Sequence, residues 1–214
     1  MNKYIIKIMS IILTIILFIS AIPMSSYAYE CFTSGDWTYC ILNDGTAEIR
    51  DAWGETENGW VSNYAYTGEI TDVVIPQKID GYIVTSIGRS EVGFTSTPIT
   101  SVAIPDTVLS ISSDVFSGIR SLEKVVLSNN LTKINSNTFS SCTSLASISI
   151  PDSVIEISNY AFSDCSSLAN IYLPQNLTTI GNYAFSNCTA LKNIIIPESV
   201  TSIGLNAFST TTTI

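Results

Sequence analysis

LASISIPDSVIEISNYAFSDCSS at residues 145–167, LANIYLPQNLTTIGNYAFSNCTA at 168–190 and LKNIIIPESVTSIGLNAFST at 191–210 align position for position with a period of 23. Working outward, Phe208, Phe185, Phe162, Phe139 and Phe116 hold one register. Ile99, Leu122, Leu145, Leu168 and Leu191 open successive units, and Ile214 falls on the same position. Pro105, Pro151, Pro174 and Pro197 hold a third register, with Ser128 as its exception, and Cys142, Cys165 and Cys188 hold a fourth.

A period of this length with leucine and isoleucine at fixed offsets belongs to the leucine-rich class of solenoid repeats. In residues 145–150 the apolar Ile148 and Ile150 alternate with Ser147 and Ser149, as in a strand with one face in a core. The proline that follows has no N–H to donate and stops the ladder. A second short segment supplies Val154 and Ile157, matched by Leu131 and Ile134, Leu177 and Ile180, and Val200 and Ile203. Next come Ser112, Asn135, Ser158, Gly181 and Gly204, residue types that suit a helix start. A short helical turn is therefore expected to point Phe162 and Cys165 inward on one face. No unit of this size can bury its apolar side alone, so the units stack at about 4.8 Å per rung and the repeated rows become ladders. The predicted fold is an α/β leucine-rich-repeat solenoid, strand-rich with short helical turns and 23-residue repeats, covered by a small N-terminal antiparallel β module.

The I-P-x-x-V-x-x-I-G-x-x-A-F-x-x-C pattern in residues 196–208 and 150–165 resembles the BspA-like leucine-rich repeat proteins of bacterial and protozoan surfaces. The resemblance reaches upstream to Ile75, Pro76 and residues 79–88, which look like the family's opening repeat. Ser128 in place of proline, Gly118 and Ile119 where cysteine is expected, and an irregular insertion at 89–98 depart from the pattern. The resemblance implies a non-enzymatic, secreted or surface-associated module that adheres to host matrix proteins or other cells.

Lys3 and Lys7 precede an apolar run at 11–22, and Ser26-Tyr27-Ala28 forms a small-residue cleavage site before Tyr29. This pattern predicts a secretory signal peptide, with no membrane span left in the mature chain. Its removal takes two lysines and no acids, which moves the net charge from −9 to −11. Nucleic acid and anionic membranes need clustered lysine and arginine, so neither is an expected partner. No sorting pattern or lipid-attachment cysteine follows, so release into the medium is expected, with cell-surface association as the alternative. The predicted organisation is a signal peptide at 1–28, a β-hairpin capping module at 29–69, an irregular opening repeat at 70–98, and five repeats at 99–214 of which the last is incomplete.

Gly35-Asp36 and Asp44-Gly45 each sit between alternating stretches, the signal for two-residue hairpin turns. With Gly35 and Asp36 at the first turn, paired residue numbers sum to 71 and Cys31 lies opposite Cys40. Such a pair is within bridging distance, and export permits oxidation, so a disulfide is expected. Cys142, Cys165 and Cys188 are expected as buried, inert thiols among apolar rows.

The chain has no histidine, which removes the common triads and imidazole bases. Asp51 with Glu55, and Asp106 with Asp152, are the conceivable carboxylate pairs, and solvated turn acids are the expected role. The cysteine spacing does not suit zinc, and the glycines form no phosphate cradle. No catalytic residue, metal or cofactor is therefore assigned.

A surface remains. Ala103, Val126, Ser149, Tyr172 and Ile195 face outward along the strands, beside Ser101, Lys124, Ser147, Asn170 and Asn193. From these rows Lys124, Val126, Asn170, Tyr172, Asn193 and Ile195 form the candidate face for an extracellular protein ligand. The alternative partner is a glycan or cell-wall polymer stacked on Trp37, Trp53, Trp60, Tyr64 and Tyr66, residues that otherwise shield the first rung. No cap follows Phe208, so an open last strand edge is expected, either because the natural chain is shortened or with a second copy as its cover.

Overall fold

The structure, a computed structural model, describes residues 31–50, 52–56, 59–63, 71–88, 94 and 98–211; for 52–56 and 59–63 the description is of backbone pairing. The expected signal peptide at 1–28, Tyr64, Tyr66 and Ile214 lie outside these residues. Among the described residues no helix is long and apolar enough to cross a membrane.

The repeats coil into a solenoid with three sides. On the first side lie the short strands Asp72–Val74, Ser101–Ala103, Lys124–Val126, Ser147–Ser149 and Asn170–Tyr172. Parallel pairing joins the first three through Val73, Val102 and Val125, and the last two through Ile148 and Ile171. Each of these central residues is buried while its neighbours point outward, the alternation a half-buried strand requires. On the second side Tyr82–Ile87 pairs with Ser110–Ile111, and Lys133–Ile134, Glu156–Ile157, Thr179–Ile180 and Ser202–Ile203 form a parallel run. Ile111, Ile134, Ile157 and Ile180 are buried there.

The third side carries the phenylalanines. Phe116, Phe139, Phe162, Phe185 and Phe208 stack with centroids 5.3 to 5.5 Å apart and near-parallel planes. Phe94, inside the expected irregular insertion, lies 5.1 Å from Phe116 and extends the stack by one rung, although it is one residue out of the repeat register. A fully buried ring contributes about 1.5–3 kcal/mol, so Phe94, Phe116, Phe139, Phe162 and Phe185, all fully buried, are a main source of stability, while Phe208 at the end of the stack is half-buried. At the proline exception, Ser128 is buried, donates its hydroxyl to the carbonyl of Val108 at 2.6 Å, and accepts the N–H of Asn130.

The expected helical turn is corrected. Among the described residues there is no helix, and the phenylalanines sit in stacked β-turns. Asp114, Asn137, Tyr160, Tyr183 and Asn206 have positive φ two residues before each phenylalanine, and Gly118, Ser141, Asp164, Asn187 and Thr210 have it two residues after. Left-handed residues at both places interrupt any α-helix. The backbone hydrogen bonds explain why this form wins. The N–H groups of Asn137, Phe139 and Ser141 donate to the carbonyls of Asn159, Ala161 and Ser163 on the next rung. Those of Thr138, Ser140 and Cys142 donate within their own turn. Every donor is satisfied by a neighbouring rung or by the turn, so a helix offers no further gain.

The N-cap reading of Gly181 and Gly204 is corrected too. A Cβ on Gly181 would lie 2.5 Å from the backbone N of Asn159, and one on Gly204 would lie 2.4 Å from that of Asn182. Close rung approach is the reason for glycine here. The side-chain oxygens that bridge the rungs come one residue later: Asn159 accepts the N–H of Asn182, and Asn182 accepts the N–H of Leu205.

At the N-terminal end, Cys31–Ser34 pairs antiparallel with Trp37–Ile41 in the register set by the Gly35-Asp36 turn. Trp37–Ile41 then pairs with Ala47–Ile49, which runs parallel to Tyr82–Ile87 and joins the cap to the second side. The connection from Ile41 to Ala47 is not a two-residue turn at Asp44-Gly45. It is a longer loop, closed by Leu42 N–H on the Thr46 carbonyl, in which Asp44 Oδ1 accepts both the N–H and the hydroxyl of Thr46. A second hairpin, Lys78–Ile79 with Tyr82–Ile87, turns on Asp80 and Gly81, both at positive φ. Asp80 accepts the hydroxyls of Ser34 and Tyr39, which ties the cap to the first rung. Burial, with this bond to Asp80, pushes the Tyr39 phenol up to about 12. Ala52–Thr56 and Gly59–Asn63 form a separate antiparallel pair.

Candidate functional site

The first side positions the candidate residues. In each three-residue strand the buried central side chain turns its two neighbours toward solvent, so the outward row repeats once per rung. Val126 is 49% exposed, Tyr172 73% and Ile195 84%, and Val74 extends the same row upstream through its register with Ala103. Val74 is marked in the sequence by the alternation ahead of Pro76, although it lies outside the 23-residue register. Ala103 is half-buried. Exposed apolar residues also occur beside the second side, at Leu109 and Ile155, but Thr132 and Thr178 interrupt that row. Ser149 interrupts the first side's row once, between Val126 and Tyr172, and that row still carries more exposed apolar positions than the second side's.

Asn193 and Ile195 are not in a strand. Residues 192–196 have no regular pairing with Asn170–Tyr172, and a cleft of about 230 Å³ lies between these segments, lined by Asn170, Ile171, Tyr172, Leu173, Gln175, Asn193 and Ile195. Four of the six candidate residues therefore share one cleft. Lys124 and Val126 lie on earlier rungs of the same side and do not line it. Ile171, Leu173 and Gln175 are the additions: Leu173 occupies an inward position of the repeat but is half-buried beside the cleft.

Cys31 and Cys40 are directly opposed across the first hairpin and their sulfurs are bonded. Cys142, Cys165 and Cys188 are buried, each donating its thiol to a phenylalanine carbonyl of the preceding rung, Phe116, Phe139 and Phe162 respectively, at 3.0 to 3.2 Å. Burial pushes the Cys142 and Cys188 thiols up to about 12 from an ordinary 9.0, and raises Cys165 as well. Nucleophilic chemistry needs the thiolate, so these groups are built for packing. Folding keeps protons on these thiols that the unfolded chain releases above about pH 9, so their contribution to stability falls as pH climbs toward 12. In iodoacetamide at pH 8 the folded protein should label at none of the three. After unfolding it should label at all three, with Cys31 and Cys40 following only upon reduction. Rapid labelling of Cys165 in the native protein would contradict the burial argument.

Asp106 acts as a turn residue, accepting the N–H of Asn129 and the side-chain amide of Asn129. Asp51 lies outside the described residues. Among the described residues no three potential metal-ligating side chains converge. Trp37 packs edge-on against Phe94 at 6.5 Å, half-buried, and so covers the first rung of the phenylalanine stack.

A description of the BspA type leucine rich repeat region matches residues 85–214 in six copies, one more than the five units counted from residue 99. A leucine rich cell surface protein from Faecalibacterium prausnitzii is 29% identical with a TM-score of 0.60, over 89% of this chain and 53% of that one. A leucine-rich repeat protein from Bacteroides capillosus is 36% identical with a TM-score of 0.52, over 66% of this chain and 96% of that one. The leucine rich repeat protein of T. pallidum is 28% identical with a TM-score of 0.54, over 84% of this chain and 67% of that one. The chain thus spans about half the length of the Faecalibacterium protein. No curated protein matches it. With the repeat register, the coiled ladders and the family match covering more than half of its length, the chain belongs to the BspA-type leucine-rich repeat family.

Proposed function

We propose that the chain is an exported, non-enzymatic protein-binding module that mediates adhesion, to host matrix or to other cells, along the first side of its solenoid. The observation that carries this reading is the outward row Val74, Val126, Tyr172 and Ile195, apolar and exposed at one register position. Solubility alone does not call for such a line, and an aromatic flanked by aliphatic and amide side chains is a composition that favours protein contact. The cell-surface description of the Faecalibacterium relative supports the location. An acidic chain that lacks basic clusters directs the choice toward protein rather than nucleic acid or anionic lipid.

Surface plasmon resonance over immobilised extracellular matrix proteins tests the proposal. Tyr172→Asp with Ile195→Asp should weaken capture by about 30-fold, the scale of losing one interface hot spot. Binding that ignores both substitutions would refute the face. Binding to a polysaccharide, unaffected by them and accompanied by a tryptophan fluorescence change, would move the function to the N-terminal aromatic residues.

A further inference from the structure

We propose that the cleft between Asn170–Tyr172 and residues 192–196 binds one ring of an uncharged sugar, held by the amides of Asn170, Gln175 and Asn193 and the ring of Tyr172. The site shares Tyr172 and Ile195 with the protein-binding face but does not rest on that face, because its ligand follows from the lining alone.

Elsewhere in the solenoid, amide side chains hold the rungs together. Asn130, Asn135 and Asn176 donate to carbonyls of the preceding rung, and Asn159 and Asn182 accept N–H groups from the following one. Asn187 donates to Asp164, 23 residues earlier, at 2.8 Å. Asn170 and Asn193 stand in the same one-rung relation, but no bond joins them. Among the described residues the side-chain amides of Asn170, Gln175 and Asn193 and the phenol of Tyr172 have no hydrogen-bond partner, and all of these residues line the cleft.

The chemistry of this lining selects the ligand. Every lining residue is uncharged at neutral pH, so nothing there neutralises a phosphate, a carboxylate or a cation. An amide presents two donors beside an acceptor, which matches adjacent hydroxyls that each donate and accept. Tyr172, 73% exposed, and Ile195 supply the apolar surface against which the C–H face of a sugar ring packs. A few placed polar groups beside apolar surface are the make-up of a small-ligand site.

Size sets the limit. A volume of about 230 Å³ lies below the range of drug-sized pockets and suits one ring rather than a chain. The rungs stay directly bonded on the other two sides, where Thr179–Ile180 pairs with Ser202–Ile203 and Tyr183 donates its N–H to the carbonyl of Leu205. The ring therefore sits in the mouth of the cleft and does not part the rungs. An interrupted pairing alone does not make such a site. The first side is also interrupted between Lys124–Val126 and Ser147–Ser149, but there Lys124, Ser147 and Ser149 flank the break, and Asn129, the repeat equivalent of Gln175, bonds to Asp106.

The probes are the methyl glycosides of glucose, galactose, mannose and N-acetylglucosamine, titrated into the whole isotope-labelled chain with side-chain amide NMR signals as the readout. At least one should shift the signals of Asn170, Gln175 and Asn193, with a Kd on the order of 1 mM. Asn193→Ala, at an exposed position, should weaken that binding about tenfold by removing its hydrogen bonds. Methyl glucuronide, which carries a carboxylate, should bind more weakly than methyl glucoside. Unmoved amide signals with all the neutral glycosides, full affinity in Asn193→Ala, or tighter binding of the glucuronide would each overturn the proposal. Capture of a matrix glycoprotein that falls after enzymatic removal of its glycans would support the site and put the sugar on a protein. Capture of a free polysaccharide that falls in Asn193→Ala would support it and put the sugar on a polymer. Matrix capture that depends on Tyr172 but ignores both deglycosylation and Asn193→Ala would overturn the sugar site and leave the protein-binding face standing.

Discussion

Phe162→Ala is expected to destabilise the protein by about 3–5 kcal/mol, the range for emptying a buried aromatic site. Phe162 has no exposed surface and stacks against Phe139 and Phe185, each at 5.4 Å with planes 13° and 1° apart. The rings cannot close the void by sliding together, because the rung spacing is held by backbone bonds from Phe139 to Ala161 and from Phe162 to Ala184. The comparison is Phe208→Ala. That ring is half-buried and stacks on Phe185 from one side among the described residues, so its loss should be about half as large. Urea denaturation followed by circular dichroism would measure both. Equal losses would show that the stack is not a cooperative core. Because the rungs stabilise one another through nearest neighbours, Phe162→Ala should also broaden the transition by uncoupling the two ends.

Gly181→Ala should be the second large effect, with a loss of about 1–3 kcal/mol. Two terms oppose each other. Alanine reduces the freedom of the unfolded chain, which by itself would stabilise by about 0.4–1 kcal/mol. In the fold, however, the new Cβ would lie 2.5 Å from Asn159 N and from the carbonyl carbon of Ser158, backbone atoms that cannot swing aside. The clash wins, and the rung must open along the line where Asn159 holds the N–H of Asn182 at 2.8 Å. Ser112, Asn135 and Ser158 occupy the same repeat position, so the requirement belongs to the rungs of Gly181 and Gly204 rather than to the row as a whole. A thermal midpoint unchanged or raised in Gly181→Ala would refute the packing argument.

The candidate site was partly legible before folding. Tyr172 and Ile195 could be placed on the outward row because strand alternation and the repeat register are both local to the sequence. The cleft that joins them was not, because it depends on whether residues 192–196 pair with the preceding rung, a tertiary event with no marker of its own. Leu173 shows the difference: its repeat position marks it for the core, and in the fold it is half-buried at the cleft.

By itself the sequence determined the solenoid, the family, and the register of the first hairpin. Each of these follows from information within one unit or one turn, such as the recurring phenylalanine or the Gly35-Asp36 turn that brings Cys31 opposite Cys40. Tertiary structure decided that the phenylalanine segment forms stacked β-turns in place of a helix and that Phe94 joins the stack. The helix is the clearest case. A helix satisfies its donors four residues away, whereas Phe139 meets its acceptor on Ala161, one rung onward. Only stacking brings that carbonyl within reach, so the choice between the two forms exists only once the rungs are assembled.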